Sequence, residues 1–437
     1  MPITDQPTSL AERPRAIVVV TGSELVRGGR RDANGPFLSE ELTRRGLEPA
    51  CVLIVGDRPE ELETAVRAGL EAELCILSGG LGPTHDDRTI EMLAQGTGRA
   101  LVLDTELERE IEAVSREVAR RLRRPFGDFS AGIAKQATLP EGAVSLGLAG
   151  TAPAVLLEHE RGVAVALPGP PGELQRLWPA ALASAPVQAI LDRVRPAEHR
   201  ILRFFGPSES AVARALEEIG GERAGVEATV CARDLEIHVD LFVGESGSAQ
   251  AAALEAELRN RFADALFAED ERPVEAIVLD QCREAGLTLA TAESCTGGLV
   301  SARLTAIPRA SEVFVGGAVS YSNDAKRRLL GVPEEILSEY GAVSAETAAA
   351  MASGARAALD ADIALAVTGV AGPNGGTAEK PVGLVFLHIE GPDLQAALRL
   401  ELPGGREAVQ TRSAASVLHL LRRVLTQPDT HTRALAD

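Results

Sequence analysis

Apolar runs of strand length that stop at glycine-rich turns recur through this chain, and they confine it to the α/β folds. Ala16–Val20 is continuous and ends at Thr21-Gly22, and Leu74–Leu77 leads into Gly79-Gly80. Leu287–Ala290 leads into Thr291-Ala-Glu-Ser-Cys-Thr-Gly-Gly298, and Ala361–Thr368 into Gly369. Strands apolar on both faces belong to sheets covered on both sides, which is the habit of parallel sheets. Helix-period segments lie between them. Asn34–Gly46 carries Phe37, Leu38 and Leu42 before its Gly46 stop, and Glu60–Leu70 follows the strand-like Ala50–Val55. In an open sheet of this kind the turns leaving the strand carboxyl ends gather at one edge, where ligands bind.

With 437 residues the chain is expected to form about three domains. A first α/β block runs over 15–179. A second, over 187–271, has strand-like Arg200–Phe205 and Glu236–Phe242 and helix-like Ala211–Ile219 and Ala249–Phe267, a small α+β module without a chemical constellation. The third, over 273–427, opens with a helix at Val274–Ala285. It continues through strand-like Val313–Tyr321, an Ala-rich helix at Ala345–Leu359, a strand at Val382–Ile389, and a closing helix at Arg406–Leu425.

Composition removes several function classes. The formal net charge is -19 and aromatics are 3% of residues, so the basic face and stacking platform of a nucleic-acid binder are not expected. No apolar run approaches the ~20 residues of a membrane helix, and polar Met1–Arg15 lacks a secretory core, so a cytoplasmic protein without a membrane partner is expected. Five scattered cysteines read as reduced thiols. Of the 44 Lys and Arg only Lys135, Lys326 and Lys380 are lysine, leaving 41 arginines. Where arginine is the default cation, each lysine marks a place where a compact, titratable amine is wanted.

In the first block, Gly79-Gly-Leu-Gly-Pro-Thr-His-Asp-Asp87 follows a buried strand and precedes a helix. Gly79, Gly80 and Gly82 would let backbone N–H groups approach a phosphate. Asp86 and Asp87 would hold a divalent metal or cap the helix. Thr84, Asp32, Asn34, Gly150, Thr151 and the turn Leu167–Gly172 belong to the same edge.

The third block is chemically richer. Ser294 stands on a strand-to-helix turn whose Gly297 and Gly298 N–H groups would surround a developing oxyanion. Cys295 is the rival nucleophile, and a plain capping turn is the alternative reading. Ser320-Tyr-Ser-Asn-Asp-Ala-Lys326 puts Tyr321 and Lys326 five residues apart at a strand exit. A buried lysine gives up its charge readily and can serve as general base, with a tyrosine hydroxyl relaying the proton. Thr368-Gly-Val-Ala-Gly-Pro-Asn-Gly-Gly376 is a further glycine loop, and Arg406 would meet a phosphate bidentately. Glu293 would orient Ser294 or Lys326, or cap the following helix.

Taken together, Ala292–Gly298, Tyr321-Ser-Asn-Asp-Ala-Lys326, Gly341-Ala-Val-Ser344, Thr368–Pro373 and Lys380-Pro-Val-Gly383 resemble the carboxy-terminal domain of the CinA (competence/damage-inducible protein A) family. Gly79–Asp87, Lys135-Gln-Ala137 and Gly150-Thr-Ala-Pro153 resemble its amino-terminal domain, of molybdopterin-binding fold. The resemblance implies a three-layer first domain, a small α+β linking domain and an α/β amidohydrolase domain. It implies deamidation of nicotinamide mononucleotide to nicotinic acid mononucleotide and ammonia, without a cofactor, and a homodimer. Ser294 would be the nucleophile, Tyr321 and Lys326 its activators and Thr368 a helper. Glu293, Thr296, Gly297, Gly298, Gly369, Gly372 and Arg406 would contact the substrate. The first domain would hydrolyse ADP-ribose with a divalent metal at Asp86 and Asp87; a non-catalytic nucleotide or molybdopterin binder is the competing class. Ala154 stands where the family usually has glycine, an exchange expected to narrow a phosphate pocket.

Overall fold

A computed structural model describes residues 14–194, 198–220, 225–244 and 246–426. The polar start before residue 14 and the boundary at 427 lie outside them. The chain divides into two compact units, 1–199 with 243–246, and 200–242 with 247–437. Among the described residues no helix is long and apolar enough to cross a membrane.

The first unit contains β1 (Arg15–Thr21), β2 (Glu48–Val55), β3 (Leu74–Ser78), β4 (Leu101–Leu103), β5 (Thr138–Pro140), β6 (Val144–Leu148), β7 (Pro153–His159) and β8 (Gly162–Leu167). Six of these form one sheet in the order β2-β1-β3-β8-β7-β6, while β4 and β5 pair as a separate ribbon. β2, β1, β3 and β8 run parallel; β7 and β6 are added antiparallel. β1 shows why the run is apolar throughout: Val19 packs into one core and Ala16, Val18 and Val20 into the other. Helices cover both faces, giving three layers.

In the second unit, β9 (Glu198–Phe205), β10 (Val226–Arg233), β11 (Glu236–Val243) and β12 (Leu266–Ala268) form a sheet in the order β10-β11-β9-β12. The helix expected over Ala249–Phe267 stops at Arg261, and Leu266–Ala268 pairs with β9 instead. This sheet engages the closing helix Arg406–Thr426 through His419. That ring is fully buried, stacks on Phe205, meets Phe267 edge-on, and shares a 2.9 Å hydrogen bond with the Glu236 carboxylate.

A third sheet comprises β13 (Leu289–Glu293), β14 (Phe314–Val319), β15 (Ile363–Gly369), β16 (Leu384–Gly391) and β17 (Leu394–Glu401), in the order β14-β13-β15-β16-β17. β13 is parallel to both its neighbours, and β16 and β17 are antiparallel. The strand expected at Leu287 starts two residues later, because Thr288 N–H and hydroxyl both donate to Asp362 at the sheet edge. One face is covered by Val274–Ala285 and the closing helix, the other by the Ala-rich Ala345–Leu359. Small alanines on that helix, Ala352 and Ala355, let it lie close on Ala290, Ala364 and Ala366.

Candidate active site

β13 carries the chain to the carboxyl edge, and Ser294 is the first residue beyond it. Its N–H still donates to Val367 O on β15 (2.9 Å), so Ser294 is tied to the sheet. Gly297 (φ 62°) and Gly298 (φ 101°) then take left-handed conformations that turn the chain into the helix Leu299–Thr305. Buried Glu293 holds this turn from behind. Its carboxylate accepts the N–H of Gly298 (3.0 Å), Val300 (3.0 Å) and Ser301 (2.8 Å), and the Ser301 hydroxyl (2.6 Å). A carboxylate over the first turn of a helix also complements the positive end of its dipole.

Two expectations change here. Glu293 is 1% exposed with both oxygens engaged, so it is a positioning group and not a substrate contact. The Gly298 N–H is spent on Glu293 and the Gly297 N–H on Ser294 O (3.2 Å), so neither is free for an oxyanion. The N–H groups of Cys295 and Thr296 face the Cys295 sulfur instead.

Lys326 reaches the nucleophile from the neighbouring strand exit. Ser322 caps the helix Asn323–Leu330 by accepting the Ala325 N–H (3.1 Å), which sets Lys326 one turn in and facing inward. The amine is 1% exposed, lies 2.8 Å from Ser294 Oγ and donates to Ser320 O (2.7 Å). Burial pulls its pKa down to about 8, against a small opposing pull from the Cys295 thiol. Cys295, at 3% exposure, packs into the apolar core, where burial pushes the thiol up to about 12. A thiol so disfavoured as thiolate is a poor nucleophile, which weighs against Cys295 as the rival of Ser294.

Other elements tie in around this turn. Arg406, at the start of the closing helix, donates to Gly372 O (3.0 Å) and to the Tyr321 hydroxyl (2.5 Å). Tyr321 is 58% exposed and has no hydrogen bond to Lys326 or Ser294, so the expected proton relay is replaced by a pairing with Arg406. Gln410, one turn further along, donates to Cys295 O (2.7 Å) and ties the helix to the nucleophile turn. Buried Thr368 donates to Ala342 O (2.6 Å), anchoring a loop and not meeting Ser294. Gly369 is needed by the sheet, since a Cβ there would stand 2.7 Å from Leu384 O. The Thr296 hydroxyl is buried without a hydrogen-bond partner.

The first unit has a cavity of about 550 Å³ at its own carboxyl edge, lined among others by Thr21, Asp32, Asn34, Gly79, Asp87 and Thr151. Gly80, Gly82 and Asp86 also line it. Thr84 does not; its hydroxyl lies between the Asp86 and Asp87 carboxylates and its N–H donates to Asp87 (2.9 Å). The hydrogen bond from the Thr84 hydroxyl to Asp86 holds that exposed carboxyl below the usual carboxylate range. Gly150 faces the Glu173 carboxylate, which a Cβ there would displace. Ala154 is buried within β7 among core side chains, so the expected narrowing of the pocket does not arise from it. Among the described residues no group of three or more His, Cys, Asp or Glu converges as a metal site.

Comparison with known proteins follows this division. Residues 271–425 match the model described as the CinA C-terminal domain, and 17–186 the probable molybdopterin binding domain. A CinA-like protein of Mycolicibacterium gilvum is 44% identical over 425 residues, covering 94% of this chain and 99% of the relative. The chain belongs to the CinA family. A CinA-like protein of Mycolicibacterium paratuberculosis is 41% identical over 432 residues, 94% of this chain and 98% of its own. The competence/damage inducible protein CihA of Agrobacterium tumefaciens, a solved structure, is 40% identical, covering 37% of this chain and 100% of its own at a TM-score of 0.34.

Within this CinA chain, sequence reasoning missed Ser320 and Gln410. Ser320 acts through its carbonyl, which any residue type would supply, and Gln410 is one polar residue in a helix of many. Neither had a readable signal, although Ser320 adjoins the Tyr321 motif.

Proposed function

We propose that the carboxy-terminal α/β domain deamidates nicotinamide mononucleotide to nicotinic acid mononucleotide and ammonia. The observation that carries this reading is the buried Lys326–Ser294 pair at 2.8 Å, with the amine's pKa brought down by burial. The neutral amine takes the Ser294 Oγ proton, forming an N–H bond as the O–H bond breaks. Oγ attacks the carboxamide carbon, and the tetrahedral oxyanion is met by the N–H groups of Cys295 and Thr296, which exchange their contact with the Cys295 sulfur for it. The Lys326 ammonium returns its proton to the departing nitrogen and ammonia leaves. Water, deprotonated by the same amine, then hydrolyses the acyl ester and frees Ser294. Arg406 receives the phosphate, with Tyr321 beside it holding the guanidinium in place, and no cofactor takes part.

Ammonia release by Ser294→Ala and Cys295→Ala tests the assignment. The first is expected to lose at least about 10³-fold in kcat, the residual rate coming from binding alone; the second is expected to stay within a few-fold. Undiminished turnover by Ser294→Ala removes Ser294 as nucleophile. Sedimentation at twice the chain mass tests the homodimer that belongs to this proposal.

A second reading concerns the first unit, favoured by its 550 Å³ cavity and the unpartnered Thr21 hydroxyl on the wall. It is an ADP-ribose hydrolase. A divalent ion would be held by Asp86 and Asp87, with water and the substrate's phosphates completing its shell, and would supply charge neutralisation on the pyrophosphate. Metal-dependent release of AMP, lost in Asp87→Asn, tests it; ligand binding without turnover would favour the non-catalytic binder.

A further inference from the structure

The ammonium that Lys326 becomes on taking the Ser294 proton carries three N–H groups. Two acceptors stand around Nζ, namely Ser294 Oγ at 2.8 Å and Ser320 O at 2.7 Å. A third acceptor is missing from that set, and a hydroxyl is missing a partner beside it. Ser320 is fully buried and its Oγ has no hydrogen bond, a condition that is unfavourable and uncommon in folded proteins. The backbone of Ser320 is fixed on both sides, since its N–H donates to Glu293 O (2.8 Å) and its carbonyl holds Lys326. What remains free is χ1, with three staggered positions for Oγ.

We infer that Ser320 is a positioning residue for the general base: its carbonyl aims the Lys326 amine at Ser294, and its hydroxyl swings about χ1 to accept the third N–H when the amine becomes an ammonium. This rests on the reading of Lys326 as the base for Ser294. The Thr296 hydroxyl is also buried and unpartnered, but no contact ties Thr296 to Lys326, whereas Ser320 already binds Nζ. The ionisable groups near Nζ are few. Among the described residues the Cys295 thiol acts on it directly, and the Glu293 carboxylate lies behind the turn and acts on that thiol. On the lysine's own helix Asp324 and Arg327 pair with each other at the surface. The packed face of Ala345–Leu359 offers Thr347, Ala348, Met351, Ala352 and Ala355, none of them charged. A hydroxyl accepting from the ammonium therefore works in a setting where little else stabilises the charge.

Ser320→Ala in the full chain tests the proposal, because it removes Oγ and leaves the carbonyl. With three lysines in the sequence, labelling at lysine Cε gives three resolvable titrations, and Lys326→Arg identifies the relevant signal. The Lys326 midpoint is expected to fall by about one pH unit, a tenfold change in its proton affinity, while Lys135 and Lys380 hold theirs. The ascending limb of kcat/KM for ammonia release should move the same way. Ser320→Thr, which keeps a hydroxyl, should restore the wild-type midpoint. An unmoved midpoint overturns the proposal even if kcat falls, since a packing defect would lower the rate without moving the titration. If Ser320→Ala does not fold, Ser320→Cys serves, its weaker acceptor giving a midpoint below wild type if the proposal holds and equal to it if not. A shifted midpoint in a wild-type background that releases no ammonia would fault the amidase reading and leave the role of Ser320 standing.

Discussion

Two of the glycine-rich turns that leave the carboxyl ends of buried parallel strands differ sharply in what surrounds them. The first, Gly79–Asp87, opens onto a cavity of about 550 Å³, yet its exposed Asp86 and half-buried Asp87 are satisfied locally by Thr84. The second, Glu293–Gly298, is packed tightly, and there a lysine is buried against a serine with its pKa pulled down to about 8. Volume and reactivity have separated. An open cradle recruits a ligand by shape and by backbone N–H groups, while a reactive pair needs the desolvation that an open cradle lacks. In the second turn Glu293 supplies the difference: by taking up three N–H groups it folds the glycine turn into a support for Ser294 instead of an open anion cradle.

That contrast can be broken at several points. The largest effect is expected from Lys326→Met, which removes the base but keeps the stem; kcat for ammonia release should fall about 10³-fold with KM little changed. Glu293→Gln comes next. An amide cannot accept all the N–H groups the carboxylate gathers, so the turn should loosen and kcat drop about 10²-fold. Chemical denaturation should show a stability loss of about 1–3 kcal/mol. Retention of full activity by this variant would mean that the second turn does not depend on its buried carboxylate. Arg406→Ala should raise KM for the phosphorylated substrate about tenfold with a smaller change in kcat, as expected for a lost charge-assisted contact. Tyr321→Phe should cost about threefold, the low end for one hydrogen bond because this one to the Arg406 guanidinium is solvent-exposed; a loss as large as that of Lys326→Met would restore the proton relay. Asp87→Asn should leave ammonia release unchanged within error, since it alters only the first turn.

Much of this was legible in the sequence, for physical reasons that differ by residue. Strands such as β1 are apolar on both faces because both faces are covered, so the runs and their glycine stops are visible directly. Lysine scarcity carried information as well. Each of the three donates to a backbone carbonyl of a motif loop: Lys135 to Thr84, Lys326 to Ser320 and Lys380 to Tyr340. Illegible were the directions of hydrogen bonds. Glycines 297 and 298 look like free donors until their N–H groups are placed on Ser294 O and the Glu293 carboxylate, and Tyr321 looks like a relay until Arg406 arrives from a helix 85 residues away. β17 alternates Leu394, Ala396, Leu398 and Leu400 inward, but alanines on both faces blur that period. Leu266–Ala268 was absorbed into the preceding helix because a three-residue strand has no period of its own.

The central claim is that a neutral, buried lysine activates Ser294, and the pH dependence of kcat/KM for ammonia release from nicotinamide mononucleotide tests it most directly. Because burial lowers the Lys326 pKa, the free amine accumulates as pH rises through about 8. The rate should therefore climb through an ascending limb centred there, and that limb should vanish in Lys326→Met. A profile flat between about pH 7 and 9, or a limb that persists without Lys326, would contradict the account.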